Sequence, residues 1–168
     1  MNCNYIKECM ESIRVQNDKY KKCSVSGCLK QCDSRKSVVV EENKKKYEII
    51  NNGGKVAVFQ IDSKMIGSEN TIRCDYLILA VSCEMAVLVE LKGTDLRHAF
   101  EQIENTRKIL EVALKEYKIH ARIITSNRTN IPNIKTCPQY VSLKKNIMRH
   151  GGNVQIKANK LSEKIESL

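Results

Sequence analysis

Apolar and polar positions alternate along this chain with two different periods. In residues 4 to 16, Tyr5, Ile6, Cys9, Met10 and Ile13 fall on one stripe at helical spacing, which predicts an amphipathic helix. Residues 17 to 36 are polar, basic and cysteine-containing, and predict a loop. A series of short apolar runs follows: Val38–Val40, Tyr47–Ile50, Val56–Asp62, Cys74–Val81 and Met85–Leu91. They are too short for helices and rich in β-branched residues, so they predict buried strands. Asn51-Asn52-Gly53-Gly54 between two of these runs predicts a hairpin turn. Lys64 to Asn70 predicts a second turn region.

After Gly93 the period changes. Leu96, Ala99, Phe100, Ile103, Leu110, Ala113, Leu114 and Tyr117 recur at helical spacing, and Thr94 or Asp95 can cap the start. His120 to Ser126 predicts a strand, Asn127 to Pro138 a loop, and Tyr140 to His150 a helix stopped by Gly151-Gly152. Val154 to Lys157 predicts a last strand and Leu161 to Leu168 a frayed terminal helix. The order is helix, strands, long helix, strand, helix, strand. It predicts an α/β fold in which a three-stranded meander and a crossover strand form one mixed central sheet flanked by helices. A chain of 168 residues fits one domain, 1–168, with an N-terminal segment 1–46, a core 47–127 and a C-terminal segment 128–168.

Charge narrows the partners. The formal net charge is +10, which favours a polyanion, because neutralised phosphates release counterions. No run of 18 apolar residues predicts a membrane span, and the N-terminus lacks a signal-peptide core, so a cytoplasmic location is expected. Eight cysteines are many for this length. Cys23, Cys28 and Cys32 cluster without a histidine nearby, which suits free thiols better than a zinc site. Cys74 and Cys83 are expected to be buried small hydrophobes.

Chemistry concentrates in two adjacent runs. Asp75 opens one predicted strand, and Glu90 and Lys92 close the next, with fourteen residues between the two acids. A tight hairpin sets both carboxylates at one end of the sheet, and strand alternation turns Glu90 and Lys92 to one face. Two carboxylates suit Mg²⁺ (or Mn²⁺), which accepts few protein ligands and keeps waters. The backbone carbonyl of Leu91 is a further candidate oxygen. Lys92 can orient the attacking water or balance charge in the transition state. Gln102 borders the apolar stripe of the long helix and can reach back to the strand ends. Lys44, Arg97 and His98 are candidate nucleic-acid contacts; Arg107, Lys108, Lys144, Lys145 and Arg149 could add to a phosphate-binding surface.

Cys74-Asp75-Tyr76-Leu77-Ile78, then Val89-Glu90-Leu91-Lys92-Gly93, then His98-Ala99-Phe100-Glu101-Gln102 resembles the PD-(D/E)XK nuclease superfamily over residues 47 to 127. The resemblance implies a restriction-endonuclease-like core and Mg²⁺-dependent cleavage of nucleic acid, DNA ahead of RNA, leaving a 5′ phosphate. Asp75, Glu90 and Lys92 match the signature and Gln102 a helical glutamine found in several branches. Cys74 stands where the signature has proline. An upstream glutamate often completes the metal site; Glu8, Glu11, Glu41 and Glu42 are the candidates, with Glu42 preferred. Defence against foreign DNA, repair or a mobile element are the settings implied, with a homodimer or a targeting partner protein, since one site cuts one strand. The alternative is a catalytically inactive nucleic-acid-binding or partner-binding module on the same fold. A third class is a cysteine-based metal or redox protein.

Overall fold

Val56–Gln60 (β4), Tyr76–Ala80 (β5) and Met85–Glu90 (β6) form an antiparallel meander, with Val58 opposite Ile78 and Ile78 opposite Val87. The computed structural model of the protein describes residues 5–15, 28–61, 72–91, 95–126 and 134–168. Nearly every meander side chain is buried on both faces, which explains runs that are apolar throughout rather than alternating. Ala57, Phe59, Leu77, Leu79, Ala86 and Leu88 face one core, and Val56, Val58, Ile78, Val87 and Val89 face another.

Helices cover the first core. Tyr5–Arg14 (α1) inserts Cys9, Met10 and Ile13. Leu96–Ile109 (α2) inserts Leu96, Ala99, Phe100 and Ile103, and Pro138–Arg149 (α3) inserts Leu143 and Ile147. Lys118–Thr125 (β7) lies parallel to β6, and Val154–Ala158 (β8) lies parallel to β7, so α2 and α3 are crossover helices. Leu29–Asp33 (β1) pairs with β4 and completes the six-stranded order β1-β4-β5-β6-β7-β8.

A second sheet covers the other core. Ser37–Glu42 (β2) and Lys45–Ile50 (β3) form a hairpin, and Lys160–Lys164 (β9) adds parallel to β3. Their inward residues Val38, Val40, Tyr47 and Ile49 meet Val56, Val58, Ile78 and Val87. The fold is thus α/β in three layers: helices, the six-stranded mixed sheet, and the three-stranded sheet.

The sheets are linked by a buried charge network. Arg122 on β7 is fully buried and forms a two-pronged ion pair with Glu163 on β9. Glu163 also accepts from the Tyr47 hydroxyl (3.1 Å) and the Gln155 amide (2.7 Å). Arg122 donates to the backbone carbonyls of Ala121 and Asn153 and to the Asn153 side chain. A buried ion pair is tolerated when its remaining hydrogen-bonding sites are filled, as they are around this guanidinium.

The structure departs from sequence expectation at several elements. Asn51 to Gly54 is not a hairpin turn: it carries the chain from the three-stranded sheet to the six-stranded one. Asn51 holds that passage, its backbone N–H donating to Lys36 and its amide to the carbonyls of Arg35 and Gly54. The hairpin turn is Asn43-Lys44 instead, where both residues have positive φ (49° and 65°). Residues 161–168 are strand followed by a 3₁₀ turn rather than helix, because β3 offers an edge. The expected loop 17–36 contains β1. The long helix ends at Ile109; Leu110, Leu114 and Tyr117 still enter the core from the turns that follow. Cys83 is exposed in the 3₁₀ turn Val81–Cys83 rather than buried. Cys9 is disulfide-bonded, whereas Cys32 and Cys74 are free thiols and Cys28 is buried in the core; Cys23 lies outside the described residues, as do Lys64 to Asn70.

Candidate metal and active site

The register Tyr76↔Val89, extended by one residue, sets Asp75 across from Glu90 at the open end of the β5–β6 hairpin. Parity puts both on the helix-covered face, with Leu77 and Leu88. Asp75 is 2% exposed and Glu90 0%. Asp75 Oδ2 accepts the backbone N–H of Leu91 at 2.7 Å, which fixes one carboxylate oxygen and steers the other. A bond to a backbone donor also offsets part of the desolvation of that carboxylate.

The side chain between these acids and α2 reports their field. Cys74 is fully buried, and its thiol is pushed well above its ordinary range: first by burial, against an opposing hydrogen bond from Thr106, and further by the charges of Glu90 and Asp75. Cys74 is therefore a neutral thiol in the core, within the field of both carboxylates.

Helix α2 holds the segment leading to Asp75. Gln102 Nε2 donates to the Arg73 carbonyl at 2.7 Å, and Thr106 Oγ1 accepts the Cys74 N–H at 2.9 Å while donating to the Gln102 carbonyl at 2.8 Å. The expected reach of Gln102 toward the strand ends is present, and its amide nitrogen is spent on the backbone two residues before Asp75. Asp95, not Thr94, caps α2, its carboxylate accepting from the N–H groups of Arg97 and His98 (3.0 and 3.2 Å). Arg97 and His98 are exposed on this first turn.

Other candidates are placed elsewhere. Glu42 ends β2 opposite Lys45, in the sheet that covers the opposite face from Asp75 and Glu90, and Lys44 sits in the adjoining turn. The structure does not bring either to the carboxylate pair. Glu41 lies on the same strand. Glu11 lines a small cleft with Tyr117, at the end of the sheet where the β5–β6 turn lies, and Glu8 is exposed one turn earlier on α1. Lys92 lies outside the described residues. Arg107 is buried between Glu104 (2.9 Å) and Glu111 (3.8 Å), so its charge is committed to ion pairs along the helix and the turn that follows it.

Among the described residues no cluster of three or more His, Cys, Asp and Glu side chains is arranged for a metal ion. The candidate donors are Asp75 and Glu90, with the adjacent Leu91 carbonyl. Two hard carboxylates beside backbone oxygen fit Mg²⁺ or Mn²⁺, which fill their remaining positions with water and phosphate.

The holding role of Thr106 and the importance of the Arg73-Cys74 backbone have no sequence signal beyond the helical border that also marks Gln102. Basic residues on α3, Lys144, Lys145 and Arg149, group with Lys135 and Tyr140 around one groove, a grouping that needs the loop geometry before α3. No protein-family model, no curated protein and no solved structure matches this chain.

Proposed function

We propose that the protein is a metal-dependent phosphodiester hydrolase acting on nucleic acid, a nuclease of the PD-(D/E)XK kind. The observation that supports this most is the juxtaposition of Asp75 and Glu90. The two buried carboxylates face each other across paired strands, and a backbone N–H orients Asp75. Like charges this close are costly unless a cation joins them.

Asp75, Glu90 and the Leu91 carbonyl would hold the metal. Bound Mg²⁺ or Mn²⁺ would supply a Lewis acid for a phosphoryl oxygen and lower the pKa of a bound water. Lys92, two residues beyond Glu90 in sequence, supplies the ammonium that orients the water or offsets charge on phosphorus. Water adds to phosphorus, the bond to the 3′ oxygen breaks, that oxygen takes up a proton, and a 5′ phosphate is left. Gln102 and Thr106 are positioning residues: they hold residues 73 and 74, and through them Asp75. Arg97 and His98, exposed on the first turn of α2, are available to phosphates next to the scissile one.

Absence of a third carboxylate near the pair among the described residues favours one second reading, an inactive binding module on the same fold. A single set of experiments separates them. Plasmid and linear single-stranded DNA are incubated with Mg²⁺, Mn²⁺ or EDTA and wild type, Glu90→Gln or Lys92→Ala, and thermal unfolding is followed with and without Mn²⁺. The nuclease reading expects cutting that EDTA abolishes and that falls about a thousandfold or more in both variants. It also expects a rise in Tm with Mn²⁺ that Glu90→Gln lacks. DNA binding without cutting and without a Mn²⁺ shift would establish the binding module.

A further inference from the structure

The outer face of α3 carries a groove of about 520 Å³ that the carboxylate site does not include. Lys135, Lys144, Lys145 and Arg149 line it, and among the described residues no acidic side chain does. Its floor is apolar: Val141 is 49% and Met148 60% exposed, and Tyr140 joins them in the lining. Positions 141, 144, 145 and 148 recur at helical spacing, so cations and apolar groups share one stripe, while Leu143 and Ile147 anchor the opposite face in the core.

We propose that this groove is the track for a single-stranded nucleic acid leading to the Asp75–Glu90 site. Three observations carry it. Four cations, with no acid among the described lining residues, complement a phosphate backbone. The groove's helix is docked on the helix that holds the site: Tyr140 packs on Phe100 of α2 with ring centroids 5.4 Å apart, two residues before Gln102, and Asn146 donates to Glu104 at 2.9 Å. Helix α3 connects the end of β7 to the start of the parallel β8, so it begins at the sheet end that bears Glu90 and runs away from it. The apolar floor selects the strand form. Exposed bases can lie on Val141, Met148 and Tyr140 while phosphates meet the cations, whereas a duplex hides its bases and would leave those side chains in water. At 12 residues α3 is about 18 Å long, room for a few nucleotides.

This deepens the hydrolase reading, but the binding it describes needs neither metal nor cleavage. The test is therefore anisotropy of a labelled oligo-dT in EDTA across a salt series, with a mixed-sequence duplex and phosphatidylserine vesicles as competitors. Lys144→Gln/Lys145→Gln is expected to weaken oligo-dT binding about tenfold or more and to flatten the salt slope by about 1.4, from about 0.7 per cation. A charge-matched control, Lys30→Gln/Lys157→Gln, on exposed edge positions of the six-stranded sheet, is expected to change the slope much less. Met148→Ser is expected to weaken oligo-dT binding without changing the slope. All these side chains are exposed, so the variants keep the core. Equal losses in the groove and control pairs would overturn the proposal, as would tighter binding of duplex or vesicles than of oligo-dT. Oligo-dT binding through the groove with no metal-dependent cutting would leave the groove standing and remove the nuclease. Cutting of single strands with the groove pair behaving as wild type would do the reverse.

Discussion

Two buried charge clusters lie on opposite faces of the same sheet, and they are built in opposite ways. On the face under the three-stranded sheet, Arg122 and Glu163 are opposite charges whose remaining sites are filled by Tyr47, Gln155 and Asn153. On the helix face, Asp75 and Glu90 are like charges set across paired strands, with a neutral thiol within their field. The first cluster joins two sheets and is complete within the chain. The second sets two carboxylates across from each other at a strand end, donor groups of the kind a divalent cation takes. On the proposed function, the contrast separates charges kept for architecture from charges kept for chemistry.

The largest expected separation between the two is in stability. Removing one partner of a buried pair leaves the other charge uncompensated, so Glu163→Ala should lower the unfolding free energy by about 3–5 kcal/mol. In EDTA, Glu90→Gln should cost clearly less than Glu163→Ala, since the amide keeps the side chain's shape and lessens the repulsion with Asp75. Urea unfolding of both variants checks the pair; a Glu90→Gln loss as large as that of Glu163→Ala would make the carboxylate site architectural too.

A smaller effect sharpens how the site is held. Thr106→Val removes the acceptor for the buried Cys74 N–H and the hydroxyl that binds the Gln102 carbonyl. It should cost about 1–3 kcal/mol. If Thr106 positions Asp75, the Mn²⁺-induced rise in Tm should also shrink, which a purely structural role would leave unchanged.

The smallest effect belongs to pH. His120 is buried beside Asn153, with Nδ1 3.3 Å from the amide oxygen, and its pKa is lowered chiefly by burial, with Arg122 and Lys118 adding to the shift and Glu163 opposing it. A histidine kept neutral in the fold binds its proton first in the unfolded chain. Its penalty is absent above the ordinary histidine pKa and grows as pH falls below about 6.5. Stability measured by urea unfolding should decline through that range, and His120→Gln should flatten the decline.

Much of the helix-covered half was legible in the sequence. The meander, the crossover helix and the parallel β7 follow from apolar runs of strand length around one strongly amphipathic helix. Asp75 and Glu90 could be paired in advance because a tight hairpin has a predictable register. The three-stranded half was not legible. Asn51 to Gly54 has the composition of a hairpin turn, yet the same composition serves a passage between layers once Asn51 can hold three backbone groups. Residues 160 to 164 alternate too weakly to announce a strand, and they become one only because the edge of β3 is available.

The sequence by itself determined the local periods, the helix caps and stops, and the chemical types at the strand ends. Gly151 is such a stop: at φ 75° it ends α3, with the N–H groups of Gly151 and Gly152 returning to Met148 and Ile147. Tertiary structure alone decided which sheet each strand joined, which lysines and arginines were spent on ion pairs and which were left to line a groove, and that Glu42 stands apart from Asp75. The physical reason is range. Propensity and hydrogen-bond capping act over a few residues, whereas sheet membership and charge pairing depend on groups far apart in sequence, such as Arg122 and Glu163, that meet only when the layers close.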